Sequence, residues 1–396
     1  MRNRYIDLLR FLAILRVVVY HTLGWAFLSV VFPAMSVMFA LAGSLMAASL
    51  DRCGPEPVRA AGTAMQRRLR RLLPSLWMFA ALLVPAMLLT GLAVNWRLAL
   101  WLVPVADPPS NGWGALATST IWYLRDYLWF VLASPVALWL FRRWPVPTLL
   151  APYVLLVVVE FGYPSAPSAL RAFGLYFGAW LLGFAHHDGM LHRMSRRVLV
   201  PVALALAAGG LGWIYTHPGP RGFDLNDIPL GNGLWSAGFI LLTLGLAPTS
   251  AAWVDRSAWF GRVVTVVNRR ALTVYLWHMP IVIGLAMVAV RLGWDLNTWP
   301  GAIRQLSLVV ALVILAVLLF GWVEDLAAQR RPALLPGGGT ARARSPVVRS
   351  GGETVPGPRT VGVPRPRAVA EDSPDLSALL RDGRDSPLAS ARVSRR

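Results

Sequence analysis

Long apolar stretches alternate with short loops in which arginines collect, and few folds accommodate that pattern. Each stretch is close to the roughly 20 residues that a helix needs to cross a bilayer. We place about ten of them, at 6–30, 34–50, 72–94, 119–141, 147–162, 169–187, 198–215, 231–250, 271–292 and 303–323. A backbone in hydrocarbon must satisfy its own N–H and C=O groups, so the expected fold is an all-α polytopic membrane bundle. Composition agrees, with 56% hydrophobic and only 14% charged residues. The formal charge of +19 would suit a nucleic-acid binder, but the arginines lie between apolar runs and in the C-terminal tail. No nucleic-acid partner is expected; membrane lipids are.

The loops alternate in charge. One set carries Arg2 and Arg4, the run from Arg52 to Arg71, Arg142 and Arg143, Arg193 to Arg197, and Arg256 to Arg270. The opposite set holds Arg97, Arg171, Arg221, Arg291 and Arg304, with Asp107, Asp224, Asp227 and Asp295 among them. The positive-inside rule then puts both termini in the cytoplasm, which an even number of spans requires. Trp96, Trp101, Trp113, Trp294 and Trp299 fall near predicted external helix ends, where an aromatic belt is expected. Residues 1–325 form the membrane bundle in this reading. From 326 to 396 the chain is rich in Pro, Gly, Ser and Arg, and is expected to be a disordered cytoplasmic tail. Its thirteen arginines against six acids from Arg330 onward favour loose attraction to anionic lipid heads.

All 38 basic residues are arginine, a bias expected of a GC-rich bacterial genome, and a multi-pass protein of the bacterial cytoplasmic membrane follows. Arg16 and His21 interrupt the apolar core that a cleavable signal would need. A single cysteine, Cys53, excludes an internal disulfide.

Chemistry must then lie inside the bundle. Arg10 and His21 sit in the first apolar stretch, where a cation or an imidazole is costly and points to function. Eleven residues is close to three helical turns, so both face the same way, about 16 Å apart along the axis. Asp7, three residues before Arg10, shares the face and can hold its guanidinium, whereas Arg16 points elsewhere. Arg10 and His21 are expected to line one hydrated tunnel. An imidazole can take a hydroxyl proton or carry a transferred group, and a buried structural histidine is the plainer alternative for His21.

Other candidates follow the helical spacing. Arg68 and Arg71 share a face just below the bilayer; their planar forks suit a nucleotide or coenzyme A, or the phosphates of lipid heads. Arg125 and Asp126 are adjacent, so each is expected to find a structural partner on a neighbouring helix rather than pair with the other. Trp122 beside them serves packing or substrate stacking. Tyr275 and His278 share a face near Pro280, which frees a backbone carbonyl. His186, His187 and His192 cluster with no acid beyond Asp188, so no metal is expected.

These elements together resemble the membrane-bound acyltransferase-3 family, bacterial integral-membrane enzymes that acylate sugars and related hydroxyl compounds. YIDLLRFLAILRVVVYH is similar to its opening motif, an Asp three before an Arg and then a His, here Asp7, Arg10 and His21. FALAGSLMA resembles its F-x-x-S-G element at Phe39 and Gly43, with Ala42 in place of the serine. RRLRRLLP matches R-x-x-R before a proline, at Arg68, Arg71 and Pro74. IWYLRDYLWFVLASP and TVYLWHMP resemble the family's tryptophan-containing element and its late Tyr-x-x-His-x-Pro. Five elements in one order over about residues 4–325 are more specific than any alone.

The resemblance implies an acyl-CoA donor, acetyl by default, reaching the bundle from the cytoplasm with no permanently bound cofactor. It implies that His21 and Arg10 are catalytic, with Asp7 in support, that Arg68 and Arg71 hold the donor, and that Trp122, Arg125, Asp126, Tyr275 and His278 contact substrate or support the site. The acceptor would be a hydroxyl of a sugar, glycan, glycolipid or glycosylated metabolite. A transporter or flippase of a lipid-linked glycan is the alternative, since it also needs a polar groove through a bundle.

Overall fold

A computed structural model describes residues 3–53, 57–163, 165–248, 251–296 and 298–333. The tail expected to be disordered lies outside the described residues from 334 onward. Among the described residues the chain is helical, with no strand beyond an isolated bridge between Gly219 and Gly222.

Helix α1, Arg4–Leu23, is followed by the short α2, Phe27–Val31, then α3, Ala34–Asp51, and α4, Pro57–Leu89. Next come α5, Gly112–Ala117; α6, Ile121–Arg143; α7, Pro145–Gly162; α8, Ser168–His187; and α9, Met190–Arg193. The remainder is α10, Arg196–Thr216; α11, Pro229–Gly245; α12, Ala258–Arg269; α13, Ala271–Arg291; α14, Trp299–Phe320; and α15, Trp322–Ala327. Eight of these, counting α2 and α3 as one continuous candidate, are long and apolar enough to cross a membrane. The expected first and eighth spans are present as helices but fall short of that measure. Asp7, Arg10 and Arg16 make α1 too polar, and α11 has 17 residues.

Two boundaries differ from expectation for clear reasons. The first helix stops at Leu23 because Gly24 adopts the left-handed conformation (φ 68°) and its N–H bonds back to Tyr20. The fourth helix starts at residue 57, not 72: Arg68 and Arg71 sit on one continuous helix with the apolar segment above them. Lack of apolar periodicity hid this polar extension. At the other end, α15 and the residues after it stay attached to the bundle. Buried Arg270 binds the Asp325 carboxylate at 2.6 Å and the Ala333 carbonyl at 2.5 Å.

Helices α3 and α8 form the inner core, each 67% buried over its most apolar window, whereas α7 is 17% buried. Small residues bring α3 and α8 together. A Cβ on Gly43 would collide with the Trp180 carbonyl, and one on Gly183 with the Ala40 carbonyl. Close backbone approach of this kind is how helices associate where lipid supplies no hydrophobic contrast. On α7 the exposed Val154, Val158 and Phe161 present an outward apolar face. Of the tryptophans expected in a belt, Trp96 and Trp299 are exposed, but Trp101 turns inward and donates to the Pro109 carbonyl at 3.1 Å.

Candidate functional site

Two cavities are stacked along α1. The lower one, toward the N-terminal end of that helix, has a volume of about 280 Å3. Arg10 from α1, Arg68 and Arg71 from α4, and Glu324 from α15 provide its charges; Met35, Met38, Ala42 and Leu45 of α3 and Tyr123 and Tyr127 of α6 provide much of its wall. The upper cavity, of about 470 Å3, is lined by Arg16, Tyr20 and His21 of α1, Trp122 of α6, Tyr176 of α8, and Arg221 and Asn226 from the loop before α11. Val17, Met35 and Tyr275 border both cavities and form a waist between them. The Tyr275 hydroxyl is fixed there by donating to the Thr120 carbonyl at 2.9 Å.

Arg10 lines the lower cavity and His21 the upper, and the two cavities adjoin at the residues that border both. Asp7 does not clasp Arg10. Its carboxylate lies 3.8 Å from Arg4, and its carbonyl accepts a hydrogen bond from Asn268 at 2.7 Å. Among the described residues, none hydrogen-bonds to or ion-pairs with the Arg10 guanidinium, which leaves its donors for whatever enters the lower cavity. Arg68 spends one nitrogen on the Leu45 carbonyl at 2.7 Å. Glu324 accepts from the Thr273 N–H and hydroxyl, at 2.7 and 2.5 Å, and burial pushes its carboxyl up to about 7.

The imidazole of His21 meets that of His278, with 5.3 Å between ring centroids. His278 is fully buried, and its Nδ1 lies 2.6 Å from the Tyr275 carbonyl. That bond sets Nδ1 as the protonated nitrogen and leaves Nε2 as an acceptor. Nε2 is buried without a partner, beside the ring of His21. Thus the late Tyr-x-x-His element and the first-helix histidine come together, and Trp122 joins them on the same cavity, stacked on Tyr176 with centroids 5.2 Å apart.

Arg125 and Asp126 line neither cavity. The expectation that neighbours in sequence cannot pair fails here: Arg125 Nε donates to Asp126 Oδ1 at 2.8 Å, and its Nη1 meets both oxygens of Asp107 at 2.6–2.7 Å. The flexible arginine stem folds back over its own turn, and the second partner comes from a loop instead of a helix. Arg16, read as pointing elsewhere, lines the upper cavity with His21. The walls around α1 come from several elements, so a residue off the Arg10–His21 face still reaches an opening.

The upper cavity's polar rim was not foreseen. Tyr20 hydrogen-bonds to buried Asp224, which lies in a loop more than 200 residues away in sequence, and Arg221 and Asn226 bond the same tyrosine hydroxyl at 3.0 and 3.1 Å. The paired Asp227 carboxylate holds the Arg221 guanidinium above its ordinary range and is itself lowered in return. Three ligand-type side chains, Asp51, His187 and Asp188, also converge within 4.8 Å. Arg142 binds both carboxylates there at 2.8–3.0 Å, supplying the positive charge that they share.

A family model described as an acyltransferase domain matches residues 3–321. No curated protein and no solved structure matches the chain. The match takes in α1 through α14, and so every helix that bears the lower cavity's arginines, the upper cavity's His21 and the His278 packed against it. The chain belongs to the acyltransferase-3 family.

Proposed function

We propose that this membrane acyltransferase moves an acyl group, acetyl by default, from a cytoplasmic acyl-CoA to a hydroxyl of a sugar, glycan, glycolipid or glycosylated metabolite on the opposite side of a bacterial cytoplasmic membrane. The supporting observation is the pair of stacked cavities: three arginines on one, His21 on the other, and Val17, Met35 and Tyr275 bordering both. In this reading α1 and α11 complete a ten-span bundle with both termini in the cytoplasm, and the lower cavity opens to the cytosol.

Arg68 and Arg71 meet the donor's phosphates at the cavity mouth through charge-assisted hydrogen bonds. The acyl-pantetheine arm lies along the methionine- and leucine-lined wall beside Arg10. Met35, with three rotatable bonds, swings aside at the waist to admit the thioester. His21 takes the proton from the acceptor hydroxyl as its oxygen attacks the thioester carbonyl. The new C–O bond forms, the C–S bond breaks, and the proton on His21 passes to the departing thiolate. Transfer through an acyl-imidazole on His21 uses the same geometry in two steps. His278 orients the imidazole by offering Nε2 to it.

Acyl transfer from radiolabelled acetyl-CoA into envelope glycans and secreted metabolites, measured in membranes with and without the chain, tests the reading. His21→Ala should abolish incorporation without lowering folded protein, while Arg68→Ala and Arg71→Ala should raise the donor KM. Full incorporation by the His21 variant would overturn the assignment, and an unchanged donor KM in both arginine variants would remove the phosphate role.

A further inference from the structure

Resting on that reading, we propose that the acceptor is anionic: a hydroxyl compound carrying a carboxylate or a phosphate, whose charge is met by Arg16 in the upper cavity. Among the described residues, two arginines line this cavity, and no acid does. They are not equivalent. Arg221 is already neutralised, with its Nη2 and Nε on Asp227 at 2.7 and 3.0 Å and Asp224 3.3 Å from its Nη1. Among the described residues, no carboxylate lies within ion-pair distance of Arg16. Its Nε donates to the Leu28 carbonyl at 3.0 Å, and its guanidinium carbon lies 4.6 Å from the centre of the Tyr20 ring. Among the described residues, its two terminal nitrogens make no hydrogen bond.

These two contacts hold the guanidinium in place and leave its fork free. A charge in a membrane-embedded helix is expensive unless something offsets it, and a carbonyl, a ring face and the nearby Asp224, itself engaged by Tyr20 and Arg221, offset only part. An entering anion would complete the set through a bidentate contact. Arg16 is five residues before His21 and therefore about 7.5 Å below it along the helix. An anionic substituent and a hydroxyl on the same or an adjacent sugar unit span that separation. Trp122 and Tyr176, stacked on the facing wall, offer an aromatic surface to the ring's C–H groups.

The test is saturation-transfer NMR on the full chain in phosphatidylcholine nanodiscs, which carry no net-anionic lipid to compete, with D-glucuronate, D-glucose 1-phosphate and D-glucose as probes. The expected result is transfer to at least one of the two anions at least fivefold stronger than to glucose; which anion responds distinguishes a carboxylate from a phosphate acceptor. Arg16→Gln should erase that preference, and Arg16→Lys, which keeps the charge and guards against misfolding, should retain part of it. Equal transfer to all three sugars, no transfer to any, or an unchanged preference in Arg16→Gln would overturn the proposal. No acyl group is present, so a role of Arg16 confined to the transfer step would leave these signals unmoved. A parallel acetyl-CoA titration separates the two ideas: anion preference without donor binding would sink the acyltransferase mechanism and spare the anion site.

Discussion

Replacing His278 isolates the contribution of one imidazole to the setting of another. The side chain is fully buried, its Nδ1 is committed to the Tyr275 carbonyl, and its Nε2 is an unpartnered acceptor beside His21. In the proposed mechanism, once His21 has taken a proton, a hydrogen bond from it to Nε2 would be charge-assisted. Such bonds contribute about 1.5–3 kcal/mol, and roughly 1.4 kcal/mol is a factor of ten in rate. His278→Phe, which keeps a ring and removes both nitrogens, should therefore lower kcat by about ten- to a hundredfold. The donor KM should stay within twofold, because His278 does not line the lower cavity. His278→Gln, able to present a carbonyl oxygen, should recover part of the loss. The assay is release of CoA thiol from acetyl-CoA by purified protein supplied with envelope glycan, normalised to monodisperse protein. If His278→Phe retains kcat within twofold of the unaltered chain, the two rings are merely packed together and the orienting role is wrong.

Three further outcomes follow from other parts of the structure. Gly43→Ala should cost about 1–3 kcal/mol through overpacking against the Trp180 backbone, read as a lower thermal midpoint with little change in donor KM. Arg125→Met leaves Asp126 buried beside an apolar chain and should cost about 3–5 kcal/mol, so folded yield should drop while the specific activity of the surviving protein holds. Glu324 is pushed up to about 7 from an ordinary value near 4.5, so the folded state binds the proton more tightly. Its contribution to stability is full below pH 4.5 and declines up to pH 7. The same titration adds negative charge to the lower cavity, so donor affinity should weaken as pH rises from 6 to 8, and Glu324→Gln should flatten that dependence.

What the sequence disclosed, and what it withheld, divides along physical lines. Spans were readable because apolar runs of bilayer length have one structural solution in lipid. Arg10 and His21 stood out because a cation or an imidazole is costly in an apolar stretch, Arg68 and Arg71 because they share a helix face, and all four do line cavities. The pairing of His21 with His278 was not legible, since it joins α1 to α13 across more than 250 residues. Arg16 was dismissed because a helical wheel knows only its own helix, while cavity walls are built by neighbours. Tyr20 with Asp224 and Arg142 with Asp51 are contacts of the same kind, set by tertiary folding alone. Asp7 misled for the opposite reason: its nearest basic neighbours on the helix, Arg4 and Arg10, are both three residues away, and spacing cannot choose between them.

The waist of Val17, Met35 and Tyr275 has a consequence for the cell as well as for the reaction. A catalyst that touches solutions on both faces of an energised membrane would, with a continuous water column, short-circuit the proton and sodium gradients that drive respiration and uptake. In the proposed function the Val17 and Met35 side chains and the tethered Tyr275 phenol would serve as a washer at that point. They would part for one thioester and close behind it, so that the electrochemical potential survives each turnover.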